Sequence, residues 1–470
     1  MKSTPPKEIA NLYSFSIASE KNQNGLNQFI ETLENKNTMK ATFKTWLATA
    51  ILIGLSHLTM AQLEPLYVPK PFPDRIVLNA TQDLATSIAI NWRTIDTTKV
   101  SYVEIAPADA DPRFVQKVAR YQAHSELLSV EDTPPAMYHS YTVTGLQPQT
   151  KYAYRVGSGS YWSEWFHFET AKQNPDRLQF LYFGDVQVNM RSLWSRVIPE
   201  VIKKAPEAKL ALYGGDLINR ANRDVEWGEF FDAGKALHTS IATIATPGNH
   251  DHYDNDQKEN TISKFWRPSF NLPLNGPEGL EESCYYIDIQ GVRFISLNSD
   301  QAEESDKHLK AQKEWVEKVL ANNPNRWTIF TFHHPIFSPK LTRDNKRMRS
   351  TFKPLFDKYK VDLVLQGHDH TYARGMAKIP MDKKNESSGT MYVVSVSGPK
   401  MTGSHVDKSE WMDRKAIFTQ LFHVIEIAGD TLNFKSYTAL GDLYDEFELR
   451  KRSGSINLMV DKTPAGVPER

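Results

Sequence analysis

Five short motifs rich in metal-binding side chains are strung along residues 184–370 of this 470-residue chain. They are Gly184-Asp185-Val186-Gln187, Gly215-Asp216-Leu217-Ile218-Asn219, Gly248-Asn249-His250-Asp251, His333-His334-Pro335 and Gly367-His368-Asp369-His370. Most follow a short apolar run: 178–183, 210–213, 241–245, 328–332 and 361–365. Between them, 191–205, 224–236, 307–321 and 348–359 carry the periodicity of amphipathic helices. Apolar runs broken by Gly or a polar residue and spaced by helices read as buried strands of an α/β layer. Loops beyond the carboxyl ends of such strands are where these folds gather their chemistry. A lone Gly-Asp is an ordinary turn, and a lone strand-end His an ordinary polar residue. Carboxylates, an amide and imidazoles converging together suit divalent metals. The arrangement reads as a two-metal hydrolase.

Upstream, 70–172 alternates short β-rich segments with polar turns, which argues for an antiparallel sandwich. Its sharpest piece is Leu146-x-Pro148-x-Thr150-x-Tyr152-x-Tyr154-x-Val156, and Trp92 on an earlier segment is the expected core aromatic. After Gly398 the pattern returns to strands at 420–427 and 431–438, and the chain from about Arg452 reads as a loose polar tail.

The chain is too long for one ordinary core. Lys plus Arg and Asp plus Glu both number 56, so no basic field argues for nucleic acid. A single cysteine, Cys284, excludes an intrachain disulfide framework and reads as a small buried hydrophobe. From Met39 a basic head, an apolar core over 45–56 and Thr59-Met60-Ala61-Gln62 form the three parts of a secretory leader. That core falls short of the about 20 residues a membrane span needs. The expectation is export to the periplasm or medium from a start at Met39, with no stable membrane span after cleavage.

The ordered set Asp185, Asp216, Asn249, His333, His368-x-His370 resembles the calcineurin-like metallophosphoesterases, and within them the purple acid phosphatase-like branch. The 146–156 segment resembles the tyrosine corner of fibronectin type III domains, a domain type that precedes the catalytic one in that branch. The resemblance implies an all-β fibronectin III-like sandwich followed by an α/β domain of two mixed sheets between helices. The expected divisions are 1–38 (an upstream extension), 39–61 (leader), 70–172 (sandwich), 176–440 (catalytic domain) and 441–470 (a last strand and tail). It also implies a cofactor of two divalent ions, Fe, Zn or Mn. Asp216 would bridge them, Asp185 and His370 would complete one site, and Asn249, His333 and His368 the other. A metal-activated hydroxide would attack phosphorus. His250 would protonate the leaving group, tuned by a neighbour such as Asp251. Arg220 and Arg223 are candidates for clamping the phosphate. His252 and His334 are expected beside the site rather than in it.

Two positions depart from the family. Asn219 stands where purple acid phosphatases carry a metal-binding Tyr, so the protein should not be purple. Gln187 stands where other relatives carry His. As neutral donors, both put metal identity in doubt. The expected activity is hydrolysis of small-molecule phosphate monoesters. A phosphodiesterase acting on nucleotides, with specificity on loops such as 265–282, stays open, as does a cell-surface binding protein with an inert catalytic-like domain.

Overall fold

The computed structural model describes residues 66–470, apart from 132, 175–176, 379–386, 404–405, 407–408 and 454. The expected extension and leader lie outside the described residues. From Tyr67 onward the chain forms one compact unit.

Its centre is a pair of facing sheets. In the first, Leu178–Phe183, Leu210–Gly214 and Ala242–Thr246 run parallel and adjacent. The second holds the parallel strands Val292–Ser296, Trp327–Thr331, Leu363–Gln366 and Ser387–Val394. The first three strands are buried along their whole length. The reason is that each is covered on both faces, which is why the sequence shows continuous apolar runs rather than alternation. Inside, Phe180 meets Phe294 edge-on at 5.1 Å, and the hydroxyls of Thr246 and Ser296 pair at 3.0 Å. Outside the first sheet, Trp194 and Phe230 stack against the aromatic layer of Phe183 and Tyr213. Outside the second, the helix Lys346–Tyr359 sets Phe356 against Phe330 at 4.6 Å. Two mixed sheets lie between helices, as expected.

The helix expected over 191–205 is interrupted. A π-type turn covers Met190–Trp194, and the α-helix begins only at Val197. Pro199 explains the break. It lacks an N–H and would clash with the preceding turn inside a long helix, but is tolerated in the first turn of a short one.

Residues 74–169 form the expected β-rich domain. The Tyr152 hydroxyl accepts a hydrogen bond from the Gln147 N–H at 2.8 Å, closing the tyrosine corner. Trp92 is buried, and its indole donates to Ser101 at 3.0 Å. This domain does not form a separate body. Asp74–Asn79 pairs in parallel with Ala242–Thr246 through Asn79 and Thr243, so one of its sheets continues the first of the facing sheets. Buried Arg93 reinforces the seam, reaching Asp74 at 2.7 Å and Asp224 at 3.2 Å. Removing one partner of such a buried cluster strands the others' charge, so the junction is fixed. Cys284 is fully buried, as expected.

The tail expected to be loose is instead built in. Leu458–Asp461 adds an antiparallel strand beside Leu443–Arg450, and the Arg414 guanidinium donates to the carbonyl of Val467 at 3.0 Å. The polar pattern belongs to an edge strand with side chains in solvent, which composition alone does not separate from a loop.

Two core imidazoles give the fold an acid limit. His423 lies between the hydroxyls of Ser395 and Ser436, and His238 beside that of Tyr213. Burial pushes the pKa of each down to about 3. The unfolded chain takes up these protons below about 6.5, whereas the folded one refuses them until near the lower value. Their contribution is complete above the unfolded value and is lost as the pH falls through this window. The thermal midpoint is therefore expected to drop steadily between those limits. Substitution His423→Gln should flatten part of that slope, and an unchanged slope would show that His423 is not a source of it.

Candidate metal centre

All five motifs lie at strand carboxyl ends, where the two sheets bring them face to face. The turns are tight. Asp216, His368 and His370 have φ of 52°, 74° and 52°. Holding non-glycine residues in this left-handed region costs on the order of 1–3 kcal/mol each, and such strain persists only where surroundings over-determine it. Here they do. The Asp216 carbonyl accepts from the N–H groups of Val186 and Gln187 at 3.1 Å each, and Thr402 donates to that of His370 at 2.9 Å. Two motif glycines are required by close approach. A Cβ on Gly248 would lie 2.2 Å from Oδ1 of Asp216, and one on Gly367 2.1 Å from Oδ1 of Asp185.

The side chains gather around Asp216, which is fully buried. On one side, ligand atoms of Asp185, Asp216 and His370 lie within 4.8 Å of one another, with His370 Nε2 3.1 Å from Asp185 Oδ2. Gln187 joins this group, its Nε2 donating to Asp216 Oδ2 at 2.6 Å. On the other side, His333 Nε2 lies 3.3 Å from Asp216 Oδ1, 3.1 Å from Asn249 Oδ1 and 3.1 Å from His368 Nδ1. Asp216 is common to both groups.

Outer contacts hold these donors in place. The Gly214 carbonyl receives His333 Nδ1 at 3.0 Å, leaving Nε2 for the centre. Ser299 Oγ accepts from the N–H groups of His333 and His334 at 3.1 and 3.0 Å. Asp251 ties the second motif to the third by accepting from Leu217 N and Gly248 N. Asp369, between the two histidines of the fifth motif, is held by Ser338 and Arg343.

The electrostatics are those of a site built around cations. Burial works against charge on His333, but Asp216 and Asp185 push its pKa up to about 10. Burial also opposes ionisation of Asp216, yet His333 holds that carboxyl below the usual range. Burial, with His334 and His333 nearby, keeps His368 well below its ordinary value. Two buried oxygens, Asp185 Oδ2 and Gln187 Oε1, accept no hydrogen bond. Acceptor atoms facing one another, two of them without a hydrogen-bond donor, suit a bound cation. Divalent metals fit this donor set.

The remaining candidates are distributed as follows. His250 does not meet Asp251. Its Nδ1 faces the Asn219 carbonyl at 2.7 Å, which can only accept, and its Nε2 meets Lys400 Nζ at 3.1 Å. Asp251 is already occupied by backbone N–H groups, so the expected tuning by that carboxylate is corrected. The Asn219 side chain points to Lys400, 3.5 Å from Oδ1. Arg220 pairs with Glu226 at 2.8 Å, and Arg223 approaches the same carboxylate at 3.8 Å. Glu226 thereby claims both guanidiniums. His252 and His334 are buried beside the cluster, hydrogen-bonded to Gly248 and Ser299. The loop over 265–282 packs on the sandwich, where Pro268 receives Asn91 and Arg267 pairs with Glu126. Sequence reasoning missed Lys400. It follows another strand, Ser387–Val394, in Gly398-Pro399-Lys400, the same strand-then-glycine pattern without a metal-ligand residue type.

Comparison with known proteins agrees with this geometry. Residues 178–372 match the calcineurin-like phosphoesterase model, and 73–170 match that of the purple acid phosphatase N-terminal domain. Over these two regions the chain is similar to the purple acid phosphatase-like metallophosphoesterases. It is 26% identical to purple acid phosphatase 21 of Arabidopsis thaliana over 56% of this chain and 59% of that one. It is 22% identical to a purple acid phosphatase of Glycine max over 74% and 77%. The chain thus spans under two thirds of the length of the Arabidopsis relative. Among solved structures, a purple acid phosphatase from yellow lupin (Lupinus luteus) seeds superposes with TM-score 0.65 at 18% identity, covering 82% of this chain and 75% of that one. The structure of PhoD does so with TM-score 0.62 at 12% identity, covering 85% and 94%. Both likenesses establish the fold.

The position of Gln187 in the cluster makes a measurable prediction. In titrations of metal-free protein with Mn, Gln187→Ala should weaken one of two binding events by about 10–100-fold and spare the other. Equal weakening of both would place Gln187 on Asp216 alone.

Proposed function

We propose that this protein is an exported binuclear-metal phosphoesterase that hydrolyses phosphate monoesters. The observation that carries the reading is the convergence of Asp185, Asn249, His333, His368 and His370 around buried Asp216, with orphaned oxygens between them. Asp185, Asp216, His370 and Gln187 would hold one ion, and Asp216, Asn249, His333 and His368 the other. When bound, such ions activate water and offset the phosphate's charge.

The chain's own residues do the rest. Asp216 ties the two halves of the cluster, and Gln187 orients its second oxygen. The Asn219 carbonyl accepts from His250 Nδ1–H and fixes the ring, so protonating the departing oxygen from Nε2 falls to the imidazolium form. Asp185, Gln187, Asp216 and His333 are fully buried, which strengthens the charge interactions among them. An inert domain is disfavoured because the complete donor set is present and organised.

The test is a substrate panel. Chelation should abolish hydrolysis of 4-nitrophenyl phosphate and added Mn should restore it, with monoesters turned over faster than diesters. His250→Ala should slow alkyl phosphates by about 10²–10⁴ while hurting 4-nitrophenyl phosphate less, as removal of a general acid does. Activity in verified metal-free protein, or a preference for diesters, would contradict the proposal.

Export rests on the leader pattern from Met39 to Gln62. No helix among the described residues is long and apolar enough to cross a membrane. Amino-terminal sequencing of protein recovered outside the producing cell should begin at Gln62. A terminus upstream of Met39 would reject the internal start.

A further inference from the structure

A chain of buried polar side chains joins the two sheets. Ser395 Oγ lies 2.6 Å from His423 Nε2, and His423 Nδ1 lies 2.9 Å from Ser436 Oγ. Ser436 donates to the Tyr372 hydroxyl at 3.3 Å, and that hydroxyl donates to Asp445 Oδ2 at 2.6 Å. All of these side chains are fully buried. Burial opposes ionisation of Asp445, but the Arg374 guanidinium, at 2.8 and 3.0 Å, holds its carboxyl below the usual range. A carboxylate only accepts, which fixes every proton along the chain. Tyr372 gives its proton to Asp445 and accepts from Ser436. Ser436 in turn accepts from Nδ1–H of neutral His423, leaving Nε2 to accept from Ser395. Bonds aligned in one direction strengthen one another.

The two ends of the chain support two residues of the same half of the metal centre. At one end Ser395 leads into Val396, which bridges Asp185, and the N–H groups of Ser397 and Gly398 donate to the Asp185 carbonyl at 3.2 and 2.7 Å. At the other, Tyr372 opens the strand Tyr372–Lys378 just after His370 and Thr371. Asn249 and His333 follow other strands, Ala242–Thr246 and Trp327–Thr331, and bond to each other rather than to this chain. His368 shares the turn with His370, but Arg343 fastens its carbonyl at 3.2 Å.

Asp445 is where this chain meets the carboxyl-terminal segment. It stands on Leu443–Arg450 in the first sheet, whereas Arg374 stands on Tyr372–Lys378 in the second. Asp461, on the last strand, pairs with Arg374 at 3.0 Å, and Thr463 donates to Asp445 Oδ1 at 2.7 Å. Loss of the Asp445 charge would strand a fully buried guanidinium. His370 keeps its left-handed backbone only while its neighbours over-determine it, so a released Tyr372 would let that turn relax.

We propose that Asp445 is a positioning residue for the metal centre. By holding Tyr372 and Arg374 it sets His370, and through the hydroxyl–imidazole chain it sets the segment that holds Asp185. The docked carboxyl-terminal segment thereby governs how tightly the Asp185–His370 half takes its ion. Asp445 acts through these residues and is not itself a ligand. This rests on the two-metal reading given above.

Calorimetric titration of metal-free protein with Mn tests the assignment without reference to turnover. The wild type should show two binding events, and the one lost in His370→Ala marks this half. Asp445→Asn should weaken that event by about 10–100-fold, as loss of a group that orients a metal ligand does, and spare the other. Tyr372→Phe, which removes only a hydroxyl, and Thr463→Ala should weaken the same event by less. These milder variants decide the matter if Asp445→Asn does not fold. Asp224→Asn, at the Arg93 seam, is the control: it should lower the thermal midpoint and leave both events unchanged. A lowered midpoint with unchanged Mn binding in the Asp445, Tyr372 and Thr463 variants would make the network merely structural and overturn the proposal. Equal weakening of both events would overturn it too. A wild type that binds fewer than two Mn ions contradicts the two-metal reading itself, and the assignment falls with it.

Discussion

The buried carboxylate of Asp216 is the point on which the rest of this structure depends. It is fully enclosed, yet it receives the His250 N–H and the Gln187 amide and lies against His333. A buried carboxylate is tolerable only when its lone pairs are answered. Every motif is shaped to answer them. Gly248 lets the third motif approach, Asp251 locks that motif to the second, and Ser299 presents the fourth. The strained backbone at Asp216, His368 and His370 is the cost of aiming so many donors at one place.

The fold makes that aim possible. Parallel strands in each of two facing sheets deliver their carboxyl ends to one edge. The sandwich is joined to this frame rather than tethered to it. Its Asp74–Asn79 strand extends the catalytic sheet, and Arg93 welds the seam with Asp74 and Asp224. The 265–282 loop packs into the same junction. Support of the catalytic frame, rather than contact with substrate, is what these interactions provide.

Much of this was legible in the sequence because the signals are local. Fully buried parallel strands write themselves as apolar runs, and tight strand-end turns as glycine followed by a ligand. The tyrosine corner is a spacing of six residues and was found for that reason. Features set by long-range packing were not legible. No pattern separates Arg220, captured by Glu226, from Lys400, which meets His250. The pairing of His250 with Asn219 rather than Asp251 depends on how two turns pack. The C-terminal strand hid in polar composition because its edge faces solvent. The sheet shared between domains left no mark on either partner.

The central claim is that one buried carboxylate organises two cations. Anomalous X-ray diffraction from crystals of the protein loaded with Mn addresses it without reference to activity. The account predicts two peaks about 3.5–4 Å apart, with Asp216 between them. A single peak, or two that leave Asp216 outside, would contradict it.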